Sequence, residues 1–263
     1  MGNIQNFFLM PKKSLGQNFL INRKIAEIEA AHAPGKVVLE IGPGYGTLTS
    51  ELCKKAKKVI AVEIDENLCN LLRNEIKAKN LKIINKDFLA ATSEEMELDA
   101  VDIVISNIPY SLSSKTIEFL ARNGLQAVLC MQKEFVAHML AKAGTDKYSK
   151  LSVMTQLFFS ATKLINVSRG NFRPVPKVDS CVIYLKPKNA AITQEEMKII
   201  GLIMQHKKKT LRNAVLDSHE KMGVDEKRLR EIAGAISENE LRPFKLEPEE
   251  LLKIAREIVK MVG

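Results

Sequence analysis

Short apolar runs alternate with helical segments from Lys36 to Met131, and this alternation constrains the fold more than any other feature of the chain. The runs that have the length and composition of buried strands are Val37–Ile41, Val59–Val62, Lys82–Ile84, Val101–Ser106 and Ala127–Met131. The segments with helical spacing are Leu48–Ala56, Asn67–Ala78, Ser114–Arg122 and Phe135–Ala143. Repeated strand–helix units predict a Rossmann-like α/β domain, in which helices cover both faces of a doubly wound, mostly parallel sheet.

The pattern changes after this region. Lys150–Phe159 has helical spacing, and the runs Leu164–Val167 and Ser180–Leu185 predict an antiparallel pair at the edge of the sheet. Beyond Pro187-Lys188-Asn189 only helical spacing remains, in Glu195–Gln205, Thr210–Asp217, Glu226–Ala235 and Pro248–Met261. We therefore predict an α/β domain over residues 1–187 and a small all-α domain over residues 188–263.

The bulk composition narrows the class of protein. A chain of 263 residues can bury a large core, and it contains no apolar stretch that could span a bilayer and no signal-peptide core. The cysteines and histidines lack metal-ligand spacing: Cys53, Cys69, Cys130, Cys181, His32, His138, His206 and His219. We predict a cytoplasmic, monomeric protein with reduced thiols, no metal site and no membrane span.

The net charge of +9 is unevenly distributed along the chain. Residues 1–24 include Lys12 and Lys13 and contain no acid, and Gln205–Asn213 is equally free of acids. The basic residues of this second segment are Lys207, Lys208, Lys209 and Arg212. Such patches on a chain of otherwise mixed charge predict a polyanionic partner, and nucleic acid is the partner that fits best.

A glycine-rich turn, Gly42–Gly46, joins the first strand of the repeat to its helix. Its glycines, among them Gly42 and Gly44, let the backbone approach a ligand closely. Glu63 ends the next strand and could accept both ribose hydroxyls, and Asp87 ends the third and could accept an adenine amine. The third glycine stands at 46 instead of the 47 that a dinucleotide fingerprint requires, so S-adenosylmethionine is favoured over a dinucleotide.

The tetrapeptide Asn107-Ile108-Pro109-Tyr110 follows the fourth strand of the repeat. An asparagine oxygen can accept a hydrogen bond from the exocyclic amine of a base, and Pro109 fixes the backbone so that the Ile108 carbonyl can do the same. Tyr110 offers a face on which a base can stack. These residues indicate a site where a flipped-out base meets an electrophile.

With these residues assembled, the chain resembles the ribosomal RNA adenine N6,N6-dimethyltransferase family, whose fold is that of S-adenosylmethionine-dependent methyltransferases. The resemblance runs nearly end to end, through Leu15–Leu20, Glu40–Gly44, Glu63, Asp87-Phe88, Asn107–Tyr110, Gln132–Glu134, Tyr148–Met154, Phe172–Ser180 and Lys207–Asn213. The Phe172–Ser180 block and the basic tail are similar to the small-subunit branch. The short, acid-free amino terminus is similar to that of archaeal members.

The resemblance also implies roles for individual residues. Asn18 and Leu20 would close over the cofactor with Gln17 beside them, and Asn107 would serve both the cofactor and the target. The cofactor contacts implied in addition are Gly42, Gly44, Glu63, Ile64, Asp87 and Phe88. The catalytic residues would be Asn107, Ile108, Pro109 and Tyr110. We further hypothesise that Phe172 stacks on the base from the side opposite Tyr110; the alternative is that Phe172 packs in the core ahead of a proline turn. The basic residues of the amino terminus and tail would hold rRNA phosphates.

The implied function is dimethylation of N6 on two adjacent adenosines in the 3′-terminal hairpin loop of small-subunit rRNA, with a role in small-subunit biogenesis. The partner would be this rRNA or a pre-assembled small subunit. The alternatives are an rRNA-binding assembly factor without catalysis, and a methyltransferase that acts on DNA or on large-subunit rRNA.

Overall fold

The computed structural model describes residues 17–236 and 238–262. Within these ranges, the main sheet is built from β2 (Val37–Ile41), β3 (Lys58–Glu63), β4 (Leu81–Asn85), β5 (Ile103–Asn107), β6 (Gln126–Gln132), β7 (Phe159–Val167) and β9 (Ser180–Pro187). Their order is β4-β3-β2-β5-β6-β9-β7. The strands from β4 to β6 pair in parallel, and β9 pairs antiparallel with β6. The predicted doubly wound sheet with β9 and β7 at one edge is confirmed.

The first and last residues of each predicted parallel strand differ from those of the observed strand by about two residues at most. The central strands β2 and β5 are almost fully buried, as helices on both faces of a parallel sheet require. The order of these strands reverses beside β2, because the chain runs outward through β3 and β4 and then returns to β5 on the other side. In folds of this type, such a reversal opens a crevice at the carboxyl ends of the strands.

A second, two-stranded ladder was not predicted from the sequence. β1 (Phe19–Leu20) pairs antiparallel with β8 (Phe172–Arg173), so that Leu20 lies opposite Phe172. Next to this ladder, the Asn22 side chain donates to that of Asn171 over 2.8 Å. The segment that precedes the first helix is therefore held against the Phe172 segment.

The helices agree with the predicted segments, with additions at both ends of the chain. The helices near the sheet are α1 (Arg23–Ala30), α2 (Thr47–Lys55), α3 (Glu66–Glu75), α4 (Ser113–Asn123) and α5 (Lys133–Met139). The remaining helices are α6 (Lys150–Phe158), α7 (Gln194–Gln205), α8 (Leu211–Leu216), α9 (His219–Met222), α10 (Glu226–Ala235) and α11 (Pro248–Val262). α1 and α9 were not predicted, and α1 matters for the site described below.

The chain divides into two compact units. The first comprises residues 17–136 with Ala161–Pro187, and the second comprises Ala137–Ser160 with residues 188–262. The predicted boundary after Pro187 is also a boundary of these units, but residues 137–160, assigned to the α/β domain in the sequence analysis, group with the helical tail. The physical reason is that Tyr148, Val153 and Leu157 belong to the apolar core formed by the tail helices. No helix within the described ranges is long and apolar enough to cross a membrane.

Candidate active site

A cleft lies at the carboxyl ends of the parallel strands in the first unit. It has a volume of about 200 Å³. The strand ends and the turns after them contribute Gly42, Gly44, Glu63, Ile64, Asp87, Phe88 and Asn107, and the segment before α1 contributes Gln17, Asn18 and Phe19. The structure thus brings together all but one of the side chains predicted to contact a cofactor.

The Glu63 carboxylate at the end of β3 is held by backbone donors on both of its oxygens. The Gly44 amide donates to Oε2 over 3.2 Å, and the Asp65 amide donates to Oε1 over 3.0 Å. Burial raises the pKa of Glu63, and these amide contacts oppose that shift. Because a carboxylate oxygen can accept more than one hydrogen bond, each oxygen keeps an acceptor position for a hydroxyl in the cleft.

The glycine turn is tightly packed against two other walls of the cleft. A Cβ at Gly44, where φ is +56°, would lie 2.5 Å from the Phe19 ring, and a Cβ at Gly42 would lie 3.3 Å from the Pro109 ring. Only a residue without a side chain fits at position 44. Phe19 and Pro109 therefore pack directly against the backbone of the two glycines that line the cleft.

The far end of the cleft combines an exposed acid with apolar surface. Asp87 is exposed, and one of its oxygens accepts the Leu89 amide over 2.9 Å. The other carboxylate oxygen can accept an amine. Ile64 is 49% exposed although it is a large aliphatic residue, and it lies at the cleft beside the buried Phe88. An exposed aliphatic surface beside an acceptor suits a purine ring with an exocyclic amine.

A smaller cavity, with a volume of about 10 Å³, adjoins this cleft. Tyr110 and Phe172 line it together with Ile108, Cys130 and Ser180. The Tyr110 hydroxyl lies 3.0 Å from the Ser180 hydroxyl oxygen, which fixes the tilt of the ring. Three residues line both cavities: Asn18, Asn107 and Pro109.

Asn107 is one of the three residues that line both cavities, and a hydrogen bond orients its side-chain amide. Its Nδ2 donates to Glu29 Oε2 over 3.3 Å, while its Oδ1 is buried and has no hydrogen-bond partner within the described ranges. A buried amide oxygen without a partner is costly in a finished fold. Such an oxygen is typical of a site whose missing partner is a ligand donor.

Comparisons with known proteins agree with this geometry. A model of the family described as "Ribosomal RNA adenine dimethylase" matches residues 9–251. The chain is 38% identical to the "Probable ribosomal RNA small subunit methyltransferase A" of Methanopyrus kandleri, over 97% of this chain and 95% of that protein. It is 40% identical to the "Ribosomal RNA small subunit methyltransferase A" of Mycoplasmopsis pulmonis, over 77% of this chain and 82% of that protein.

The chain belongs to the ribosomal RNA adenine dimethylase family. Two solved structures are similar to it over 92% of its length. A dimethyladenosine transferase from Plasmodium falciparum matches over 98% of its own chain, with 29% identity and a TM-score of 0.75. The 23S rRNA methyltransferase ErmE matches over its whole chain, with 25% identity and a TM-score of 0.61.

One residue that the family resemblance implicated does not line the cleft of this dimethylase. Leu20 is 5% exposed and packs in the apolar core of the first unit, with Ile25 and Phe172. Phe19 lines the cleft instead and is packed against Gly44. Successive residues of a strand point to opposite sides, so only one of this pair can face the cleft, and a sequence motif does not indicate which.

The basic residues of the tail have different partners in the second unit. Lys207 Nζ donates to the backbone carbonyls of Asp146 and Tyr148, and Lys209 pairs with Asp217. Lys208 and Arg212 are exposed, and their side chains have no partner among the described residues. Lys12 and Lys13 lie outside the described residues.

Two further acids lie buried behind the cleft and were not singled out in the sequence. Glu29 on α1 is fully buried, and Glu40 on β2 is 1% exposed. Burial raises the pKa of each to about 8. Both carboxyl groups therefore hold their protons at neutral pH.

Replacing Glu29 with glutamine should change how the stability of the fold depends on pH. In the unfolded chain Glu29 loses its proton near pH 4.5, but in the native state it keeps the proton up to about pH 8. The native fold therefore loses stability as the pH rises between these values. We expect the Glu29→Gln variant to gain on the order of 2 to 4 kcal/mol over the wild type across this window.

Urea unfolding at pH 5 and pH 8 measures the difference. Glu27→Gln is the matched control, because Glu27 lies on the exposed side of the same helix. The free energy of unfolding of Glu29→Gln is compared with that of the wild type at each pH. If the difference between the two proteins is the same at pH 5 and pH 8, Glu29 has an ordinary pKa in the native state, and the prediction is wrong.

Proposed function

We propose that this chain transfers methyl groups from S-adenosylmethionine to N6 of two adjacent adenosines in the 3′-terminal hairpin loop of small-subunit rRNA, each adenosine twice. Membership of the rRNA adenine dimethylase family and the names of the similar proteins support the reaction and the small-subunit rRNA substrate. The structural observation that carries the proposal is Asn107, whose unpartnered oxygen lies where the two cavities adjoin.

The larger cleft fits the proposed cofactor. Glu63 would accept the two ribose hydroxyls, and Asp87 would accept the adenine amine beside Ile64. Gly42 and Gly44 line the same cleft, and the methionine portion would lie against their backbone. When bound, S-adenosylmethionine supplies a methyl group that its sulfonium already activates, so the protein needs no strong base for the transfer.

The residues of the smaller cavity would then hold the target base. N6 of adenine is a weak nucleophile because its lone pair is delocalised into the ring. Asn107 Oδ1 would accept one N6 hydrogen and favour a tetrahedral nitrogen with a localised lone pair. The same oxygen would stabilise the positive charge that develops on N6 during transfer. Tyr110 and Phe172 would pack against the base, which must leave its stack to reach this cavity.

The second methylation sets a further requirement on this site. A once-methylated amine has one hydrogen left to donate, so one of the two acceptors proposed for N6, Asn107 Oδ1 and the Ile108 carbonyl, must become dispensable. The cavity must also accommodate the first methyl group. The same cavity must therefore hold N6 in one orientation for the first methylation and in another for the second.

The proposed function is tested with labelled S-adenosylmethionine and small subunits that lack the modification, followed by mapping of the methylated nucleotides. We expect four methyl groups per subunit on two adjacent adenosines. Large subunits offered in parallel separate this function from that of the similar 23S rRNA methyltransferase. Binding to small subunits without any methyl transfer would instead support a non-catalytic assembly factor.

Charge reversal at Lys208 and Arg212 should weaken binding to small-subunit rRNA more than charge reversal at Lys209. Lys208 and Arg212 are exposed and free to bind phosphates, whereas Lys209 is already paired with Asp217. Each phosphate that the protein no longer neutralises should reduce the slope of log K against log salt by about 1. We therefore expect the double variant Lys208→Glu/Arg212→Glu to reduce the slope by about 2.

Binding is measured by filter retention or anisotropy across a series of salt concentrations. Lys227→Glu on α10 serves as the control for a single change of charge on the same unit. A double variant whose salt slope equals that of the wild type would exclude this surface as a phosphate-binding site.

A further inference from the structure

A carboxylic acid on α1 faces the catalytic asparagine from inside the protein. The buried side of α1 carries Ile25, Ala26, Glu29 and Ala30, and Glu29 is the one charged residue type among them. Glu29 is 0% exposed, and its Oε2 accepts the Asn107 Nδ2 hydrogen over 3.3 Å. It lines neither the cleft nor the smaller cavity, so it touches Asn107 without reaching either substrate.

The surroundings of Glu29 contain no group that would explain it as half of an ion pair. The titratable groups that interact electrostatically with Glu29 are Glu40 on β2 and Cys130 on β6. Neither of these groups can carry a positive charge. No lysine or arginine of the described ranges pairs with it, and its Oε1 has no hydrogen-bond partner there. An acid buried in this way is costly, and an aliphatic residue would pack at this position at lower cost.

What an aliphatic residue cannot do is accept the Asn107 hydrogen. A side-chain amide has its oxygen and its nitrogen on opposite sides of Cγ, so an acceptor for Nδ2 determines where Oδ1 points. Without that acceptor the amide could turn by 180° and present N–H to the site. Two donors, the amide and N6–H, would then face each other.

We propose that Glu29 is a positioning residue of the methyl transfer, which holds the Asn107 amide in the orientation that leaves Oδ1 free to accept the target amine. This inference rests on the proposed function and adds a residue outside both cavities to its machinery. Because Glu29 is neutral at neutral pH, glutamine has the same shape and keeps an acceptor oxygen. Leucine has a similar size and keeps none.

The first test measures the Asn107 amide itself, without substrates. In the wild-type protein we expect the Asn107 side-chain amide to be rigid by 15N relaxation, with a resonance assigned from its loss in Asn107→Ala. Glu29→Gln should keep the amide rigid, and Glu29→Leu should lower its order parameter. Ile25→Ala is the control for loosened packing of the same helix, since Ile25 is buried without contacting Asn107 through a hydrogen bond.

The second test compares single-turnover methylation of small subunits at saturating S-adenosylmethionine. We expect Glu29→Leu to lower the rate about tenfold with an unchanged concentration of subunits at half-maximal rate, and Glu29→Gln to stay within about threefold of wild type. A rigid amide in Glu29→Leu, or equal losses in the two Glu29 variants, would overturn the proposal. If the wild-type protein methylates no subunit, the proposed function fails, and the relaxation data still decide the orientation of Asn107.

Discussion

Replacing Asn107 with alanine should slow methyl transfer by about 10²- to 10³-fold, the range expected when one preorganised polar contact to the developing charge is removed. The change removes the unpartnered Oδ1 that lies where the two cavities adjoin. Because Glu63 and Asp87 remain, affinity for S-adenosylmethionine should fall by less than about tenfold. Single-turnover methylation at saturating cofactor, together with calorimetric titration of the cofactor, separates the two effects.

The matched control is Asn123→Ala. Asn123 is an exposed asparagine at the end of α4, and its side chain donates only to the carbonyl of Phe119. Its substitution should leave the rate unchanged. If Asn107→Ala methylates small subunits at a near-normal rate while it binds cofactor normally, the hydrogen-bond mechanism for activating N6 is wrong.

Replacing Glu63 with alanine should weaken binding of S-adenosylmethionine by about 100-fold or more. Hydrogen bonds to a charged group contribute about 1.5 to 3 kcal/mol each, and a tenfold change in affinity corresponds to about 1.4 kcal/mol. Glu63 would accept two ribose hydroxyls, and its loss would also leave the Gly44 and Asp65 amides without their acceptor. Calorimetric titration of the cofactor and of its demethylated product measures the loss.

Glu66→Ala is the control, because Glu66 is an exposed acid in the first turn of α3, three residues further along the chain. We expect its affinity for the cofactor to match that of the wild type. Should Glu63→Ala bind the cofactor within a few-fold of the wild type, the ribose does not lie against this carboxylate.

The α/β part of the fold could be predicted from the sequence because a parallel strand covered on both faces is apolar along its whole length. The runs Val37–Ile41 and Ala127–Met131 carry that signal, and both are strands in the structure. The ladder between Phe19–Leu20 and Phe172–Arg173 could not be predicted in this way. Each of its strands has two residues, which are too few to show a pattern of apolar residues. It depends on a contact between segments far apart in the chain.

The residues that line the cleft were predictable where a polar side chain ends a parallel strand, as Glu63 and Asn107 do. Glu29 was missed because no helix was predicted over residues 23–30. Once that helix is known, the spacing of Ile25, Ala26 and Glu29 places the acid on the buried face. The partner of a buried acid, by contrast, follows only from the packing of α1 on the sheet.

For the basic tail, the sequence does not indicate which lysine side chains are available to bind a partner. From the sequence alone, the three consecutive lysines Lys207, Lys208 and Lys209 cannot be distinguished, and each could bind a phosphate. In the structure, Lys207 binds backbone carbonyls near the start of α6, and Lys209 neutralises Asp217. Clustering of charge along a sequence therefore indicates a polyanion partner without showing which charges remain available to it.

The β1–β8 ladder gives the two cavities a common wall. Asn18 and Phe19 border the large cleft, and Phe172, directly opposite Leu20 in the ladder, borders the small one. A displacement of either strand is passed to the other through shared backbone hydrogen bonds. We expect binding of the methyl donor and admission of the base to be coupled through this ladder, and thermodynamic reciprocity then requires that each ligand alter the affinity for the other by the same factor.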